Sequence, residues 1–363
     1  MMLIETQSTI PKYLQFKQIL RDAVVNGEFA DRLPPERVLA DTYSISYMTV
    51  RRAVGELVEE DILYRETGRG TFVCPPGMPV RKTFNLAFVL PKPIRHGVAN
   101  AYYSRVFRGV QGQAAESGYR VLVSNDPQDV FALDRMETSR TSGRKADGII
   151  AVIAKNHDDV REIARFMPVV LIDGYLPGSG LPWVGLENEL GGYLATQHLV
   201  ELGHTRIAHI TGRQASAPGT ERMAGYSRAL SGAGLELDEA LIAKGDFEFE
   251  SGCAAAGALL ALPSPPTAIF AANDMMALGA LSECQRAGLR VPEDISLVGF
   301  DDIRPASLVF PALTTVLVPK EEMGQRAVVR LLQLVNREGK GPERELLTPE
   351  LIERESTAPP KTS

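Results

Sequence analysis

The feature that most constrains this chain is a change of hydrophobic rhythm near Phe84. Ahead of it, apolar residues recur at helical spacing. Beyond it, short apolar runs at 85–90, 120–123, 148–153, 169–172, 206–210, 268–271 and 295–300 alternate with longer helical stretches. A strand buried on both faces has no polar side and reads as a continuous apolar run, and strands separated by helices pair in parallel. The expectation is an α/β body over 84–363, with parallel sheets covered by helices and enough strands for two lobes.

Residues 1–74 follow another plan. Pro11 opens a helical face of Tyr13, Leu14, Phe16, Ile19, Leu20, Ala23 and Val24, stopped by Asn26-Gly27. A short second helix fits 35–43, with Val38 and Leu39 inward. Ser46 is placed to cap a third helix running to about Glu60, whose Val50, Val54 and Leu57 share one face. Two β-favouring runs, 62–66 and 71–73, then flank Thr67-Gly68-Arg69-Gly70 and form a hairpin. Three helices and a hairpin make a winged helix-turn-helix. Pro75, Pro76, Gly77 and Pro79 break regular structure and mark a linker over 75–83.

In a helix-turn-helix the second helix of the pair enters the major groove and its early residues meet base edges. Here that helix offers Tyr47, Met48, Thr49, Arg51 and Arg52. Arginine matches the two acceptors of guanine with a planar fork. Arg37 sits where the preceding helix crosses phosphates, and Arg69 occupies the hairpin tip. These seven are the candidate DNA contacts. Bulk charge adds nothing to this: the net charge is −6, and residues 1–82 carry equal numbers of basic and acidic side chains.

The stretch LPPERVLADTYSISYMTVRRAVGELVEEDILYRETGRGTFV resembles the GntR-type winged helix over residues 11–74. Two details depart from that pattern: Tyr47 stands where the family usually has arginine, and the turn before Leu33 is shortened.

An open parallel sheet binds ligands beyond the carboxyl ends of its strands. Polar and aromatic groups follow those ends: Tyr102, Tyr103, Asp173, Arg222, Phe247, Asn273 and Asp301, with Asp274 and Asp302 beside them. Aromatic faces with carboxylate, amide and guanidinium groups suit a sugar or a nucleoside. Helix capping is the competing role for the Asp and Asn residues.

Several runs in this body resemble the LacI/GalR-type sensor across residues 84–357. They include Asn188 with Gly191-Gly192, His198-Leu199 and Gly203-His204, then Arg222-Met223-Ala224-Gly225-Tyr226 and the stretch from Pro266 to Asp274. Val291-Pro292-Glu293-Asp294-Ile295-Ser296, Gly299-Phe300-Asp301-Asp302, the stretch from Pro311 to Val316, and that from Leu351 to Ser356 complete the pattern. The resemblance implies a two-lobed domain like the periplasmic sugar-binding proteins. Arg222, Asn273 and Asp301 would contact a sugar-like effector, Phe247 would stack on it, and Asp173, Tyr102 and Tyr103 would complete the cleft. Glu187 stands where the family commonly has aspartate. A GntR-type reader on a LacI-type sensor resembles the arabinose-repressor-like regulators. No hinge helix is evident in 75–83. The implied function is a repressor, a homodimer reading a palindromic operator, whose grip on DNA changes when a sugar binds between the lobes.

Other classes have weaker support. The sequence has no GxGxxG after the first strand, no Walker A motif and no GxSxG elbow, so an enzyme is not expected. A transport-type sugar-binding protein is the other alternative, and the winged helix opposes it. No apolar run of about 18 residues is present and no membrane partner is expected. The N-terminus lacks a secretory pattern, and Cys74, Cys253 and Cys284 form no CxxC pair, which points to a cytoplasmic setting. Without HExxH spacing, neither a metal nor any other cofactor is expected.

Overall fold

The computed structural model describes residues 10–361, apart from 26, 30, 60–61, 67, 75–81, 91–93, 95, 127–144, 153–157, 166, 214–215, 337 and 339–340. The expected linker over 75–83, except Lys82 and Thr83, lies outside the described residues. So do the helix stop at Asn26, the helix end at Glu60, Thr67 of the hairpin turn and the strand end at 153. The chain divides into two compact units, one carrying residues up to Thr83 and the other starting at Phe84.

In the first unit, α1 (Lys12–Val25) buries Phe16, Leu20 and Ala23, the i, i+4, i+7 stripe of its periodicity. Helix α2 (Glu36–Thr42) buries Leu39 and Ala40. Val38, expected inward, is 49% exposed. A seven-residue helix buries only a narrow strip, and the strip that faces the other helices is the Leu39–Ala40 side. Helix α3 (Tyr47–Glu59) begins where Ser46 Oγ accepts the Thr49 amide at 3.1 Å, and it buries Val50, Ala53, Val54 and Leu57. Strands β1 (Leu63–Glu66) and β2 (Gly70–Val73) pair antiparallel, Leu63 opposite Val73. Arg65 ties this hairpin to α2 through Glu36 at 2.7 Å.

The second unit is built on two parallel sheets. Strands β3 (Asn85–Val89), β4 (Arg120–Ser124), β5 (Gly148–Val152), β6 (Val169–Ile172), β7 (Trp183–Leu186) and β13 (Arg344–Leu347) form one, in the order β13-β7-β6-β5-β3-β4. Strands β8 (Ile207–Thr211), β9 (Ile242–Lys244), β10 (Ala268–Ala271) and β11 (Ser296–Val298) form the other, ordered β11-β10-β8-β9. A short antiparallel pair, β12 (Thr315–Leu317) with β14 (Glu350–Ile352), completes the set. Strands β5, β6 and β10 are buried at every residue, which is why they read as unbroken apolar runs.

Helices cover both sheets. On the first lobe α4 (Tyr103–Glu116) packs against α10 (Lys320–Val335), and α5 (Asp158–Ile163) lies between β5 and β6 in the chain. On the second, α6 (Asn188–Glu201) packs against α7 (Ala217–Gly232), and α8 (Phe249–Leu260) against α9 (Asp274–Arg286). The chain passes between lobes after β7, after β12 and after β13. Helices α6 and α7 approach so closely that a Cβ on Gly192 would strike the Arg222 carbonyl, and one on Gly225 the Glu189 carbonyl. Only glycine admits that contact, and it fixes where Arg222 sits.

Candidate functional site

The candidate residues fall into two groups, one in each unit. In the first unit the α3 cap decides which side chains are free. Thr49 Oγ1 lies 2.8 Å from Ser46 Oγ and is half-buried, so this hydroxyl serves the cap. Tyr47 and Met48 are exposed, at 41% and 67%. Arg51 and, on α2, Arg37 are exposed, and neither makes a hydrogen bond or ion pair among the described residues. Arg52 is exposed as well, but its guanidinium lies 3.5 Å from the Tyr13 ring centroid and donates to Glu56 at 3.2 Å. Lys17, almost fully buried, holds the other Glu56 oxygen at 2.8 Å. Arg69, at the hairpin turn, pairs with Glu66 at 2.6 Å and remains largely exposed. Sequence reasoning missed Arg32. It bridges to Phe72 of β2 and lies over that ring at 5.5 Å, so it adds a cation beside the wing. Its position depends on pairing across 40 residues, and no local signal announces it.

In the second unit the seven cleft candidates converge, Arg222 from within α7 and the others from the ends of elements or the loops that follow strands. Tyr102 and Tyr103 lie at the start of α4 and both donate to the carboxylate of Asp173 beyond β6, at 3.0 and 2.9 Å. Arg222, on α7 and only 4% exposed, donates from Nε to Asn188 Oδ1 at 2.9 Å and from Nη1 to the Ala272 carbonyl at 2.6 Å. Its Nη1 lies 3.6 Å from Asp301 Oδ1, and its guanidinium stacks 3.7 Å from the Phe300 ring and 5.9 Å from Phe247. Asn273 caps α9 by accepting the Met276 amide at 3.0 Å and donates to the Phe247 carbonyl at 2.9 Å. It therefore serves the fold and holds the Phe247 backbone in place.

Three of these residues, Asp173, Phe247 and Asp301, take left-handed backbone conformations, with φ of 59°, 73° and 111°. Non-glycine residues pay for that geometry, and such strain gathers where side chains must be aimed at a ligand. Asp301 Oδ1 is a buried acceptor that receives no hydrogen bond among the described residues. Burial pushes the Asp301 carboxyl up to about 7, against Arg222 and Lys320, which lower it. Burial likewise raises Asp173, offset by Arg222 and the two phenols, while Tyr102 and Tyr103 are raised by burial and by the Asp173 charge.

Two further residues belong to this site and were not singled out by sequence reasoning as contacts. Asn188, at the start of α6, joins Arg222 to Glu221, which accepts from its Nδ2 at 3.2 Å. Lys320, at the start of α10, is buried, with Nζ donating to the carbonyls of Asp301, Asp302 and Val318 and lying 5.9 Å from the Tyr102 ring. Asp274 and Asp302 have structural partners. Asp274 is fully buried and accepts the Ile303 amide at 2.8 Å and the Thr315 hydroxyl at 2.5 Å; Asp302 pairs with Arg354 at 2.5 Å. Among the described residues no helix is long and apolar enough to cross a membrane, and no group of three or more metal-ligating side chains occurs.

Comparison with known proteins follows the same division. Residues 12–73 match the family of bacterial regulatory proteins of the gntR type, and residues 196–357 match the periplasmic binding protein-like domain. The chain is 38% identical over 262 residues to the ribose operon repressor of Escherichia coli K12, covering 71% of this chain and 78% of that protein. A crystal structure of a LacI family transcriptional regulator from Mycobacterium smegmatis is 32% identical, with a TM-score of 0.66, covering 76% of this chain and all of that one. A LacI family regulator from Enterococcus faecium with bound ribose is 26% identical, with a TM-score of 0.67, over 76% of this chain and 100% of that one.

Proposed function

This chain belongs to the LacI family of transcriptional regulators, and from that premise we propose that a neutral sugar bound between its lobes controls a pair of gntR-type readers. The protein is a ligand-responsive, DNA-binding transcription repressor and not an enzyme. The chemistry of the site supports a reading of the effector and of the residues that hold it.

The observation that carries the effector assignment is the buried, undonated Oδ1 of Asp301 beside Arg222. A sugar hydroxyl supplies the missing donor and accepts from the guanidinium with its own oxygen. Tyr102, Tyr103, Asp173 and Asn188 extend the polar wall, and Phe247 offers an apolar face for the ring. Both cations of the site are already engaged: Arg222 by Asn188, Ala272 and Asp301, Lys320 by three carbonyls. Two buried carboxylates stand opposite them. A neutral polyol is therefore favoured over a phosphate ester, whose dianion would meet Asp173 and Asp301 beside two cations that already have partners. The ribose bound to the Enterococcus faecium regulator is of that class.

The test is a thermal-shift screen of the full chain against free pentoses and hexoses, their phosphates and nucleosides, followed by operator binding with each hit. The expected result is stabilisation by a neutral sugar that also changes operator affinity. Stabilisation by phosphate esters alone would overturn the assignment.

The same regulator acts in the cytoplasm as a homodimer reading a palindromic operator, because a twofold assembly presents two α3 helices to two half-sites. Support comes from the segment after β11, where Leu308 and Phe310 are 70% and 85% exposed. Two neighbouring large apolar side chains at that exposure are costly in water and suited to a subunit contact. Leu308→Asp combined with Phe310→Asp is expected to give a monomer in analytical ultracentrifugation, with sugar binding kept and operator affinity down by roughly tenfold or more. A dimer of wild-type stability in that variant places the interface elsewhere.

Effector control then works as a population shift. The sugar touches both lobes, the first through Tyr102, Tyr103 and Asp173, the second through Arg222 and Asp301. Favouring one lobe arrangement by about 1.4 kcal/mol changes operator affinity by up to tenfold.

A further inference from the structure

The early turns of α3 carry five side chains that differ in what they are free to do. Arg52 is spoken for: it stacks on Tyr13 at 3.5 Å and bonds Glu56, which Lys17 of α1 holds in turn. Arg52 is thus a positioning residue that braces α3 against α1. Thr49 is bound into the helix cap. The side chains left to meet base edges are Arg51, with no internal partner among the described residues, and the adjacent pair Tyr47 and Met48.

That pair is the unusual feature. A single exposed apolar side chain needs no explanation. Two in succession occupy the first positions of the groove helix, and helical side chains lean toward the N-terminus, ahead of the helix body. Polar or basic residues there would read acceptors and donors. In the major groove the one apolar feature of any base edge is the thymine C5-methyl; adenine and guanine present N7, and cytosine an amino group.

We propose that Tyr47 and Met48 read thymine methyl groups, so that each operator half-site carries thymine at the positions reached by the start of α3, beside the guanine reached by Arg51. The specificity of this protein is then split: methyl burial selects A·T pairs at one edge of the half-site, and the Arg51 fork selects G·C next to it. The role rests on α3 being the groove helix.

The experiment starts with selection of bound duplexes from a random pool by the full chain. Each thymine of the selected half-site is then replaced singly by 2′-deoxyuridine, which deletes one methyl group and changes no hydrogen-bonding group. At one or two positions per half-site the substitution is expected to weaken binding about fourfold, the worth of one buried methyl. In Met48→Ala or Tyr47→Ala the thymine and uracil sites should bind alike, while Arg51→Ala keeps the distinction. Both apolar residues are exposed, so these variants fold. Tight, sequence-selective binding with no uracil-sensitive position, or a uracil effect unchanged in both alanine variants, overturns the methyl reading and leaves α3 as the groove helix. Failure to enrich any sequence overturns the groove assignment itself, and the methyl reading with it.

Discussion

Arg222→Ala is expected to abolish the response to effector, weakening sugar binding at least about 100-fold while operator binding without sugar stays near normal. That size follows from the number of groups one guanidinium serves. Its loss leaves the Asn188 carbonyl oxygen and the Ala272 carbonyl without their donor, and it leaves Asp301 buried beside Lys320 alone. Removing one partner from a buried charge cluster costs about 3–5 kcal/mol, so the variant should also melt earlier. Arg222→Lys separates the two effects. Lysine restores the charge near Asp301 but not the fork that reaches Asn188 and Ala272 together. It should recover much of the stability and little of the sugar affinity. Calorimetric titration with the sugar, alongside operator release measured by fluorescence anisotropy, checks both. A normal half-saturation in either variant places the effector outside the Arg222 cleft.

Arg51→Ala is the companion result in the reader. Operator affinity is expected to fall about 10- to 100-fold, the range for losing one bidentate guanine contact, and discrimination at that base pair should disappear. Sugar affinity should not change. Arg52→Ala provides the contrast, because its guanidinium is held by Tyr13 and Glu56. That variant should lose stability through the loosened α1–α3 contact and affinity by a smaller factor, equally for matched and mismatched sites. Equal discrimination by wild type and Arg51→Ala across all single-base variants of the operator would remove Arg51 from the base-reading set.

What the sequence makes legible here depends on how local each signal is. The cap at Ser46 and the stripe of Val50, Val54 and Leu57 lie within one helix, and the structure has both. Strands β6 and β10 carry their burial in four consecutive apolar residues and were expected at their observed bounds. Strands β7, β9, β12, β13 and β14 were not anticipated. Each is three or four residues long, and such a run becomes a strand only because a neighbour completes its ladder, as β13 does for β7. The exposure of Val38 has a similar origin, since packing against α1 and α3 chooses which side of α2 is covered.

Residue types at strand ends brought Tyr102, Tyr103, Asp173, Arg222, Phe247, Asn273 and Asp301 to attention from the amino-acid order alone, together with the two family patterns. The alternation of elements likewise determined the architecture, because burial on both faces of a sheet demands apolar runs. Which of the charges are already satisfied was decided only by the tertiary structure. Asn188 meets Arg222 across 34 positions, Lys320 reaches the Asp301 carbonyl across 19, and Lys17 holds Glu56 across 39. Hydrogen bonds and ion pairs act over about 3 Å of space, and spacing along the chain carries no record of that distance. The difference between Arg51, exposed and with no side-chain partner among the described residues, and Arg52, its neighbour braced against α1, therefore exists only in the folded molecule.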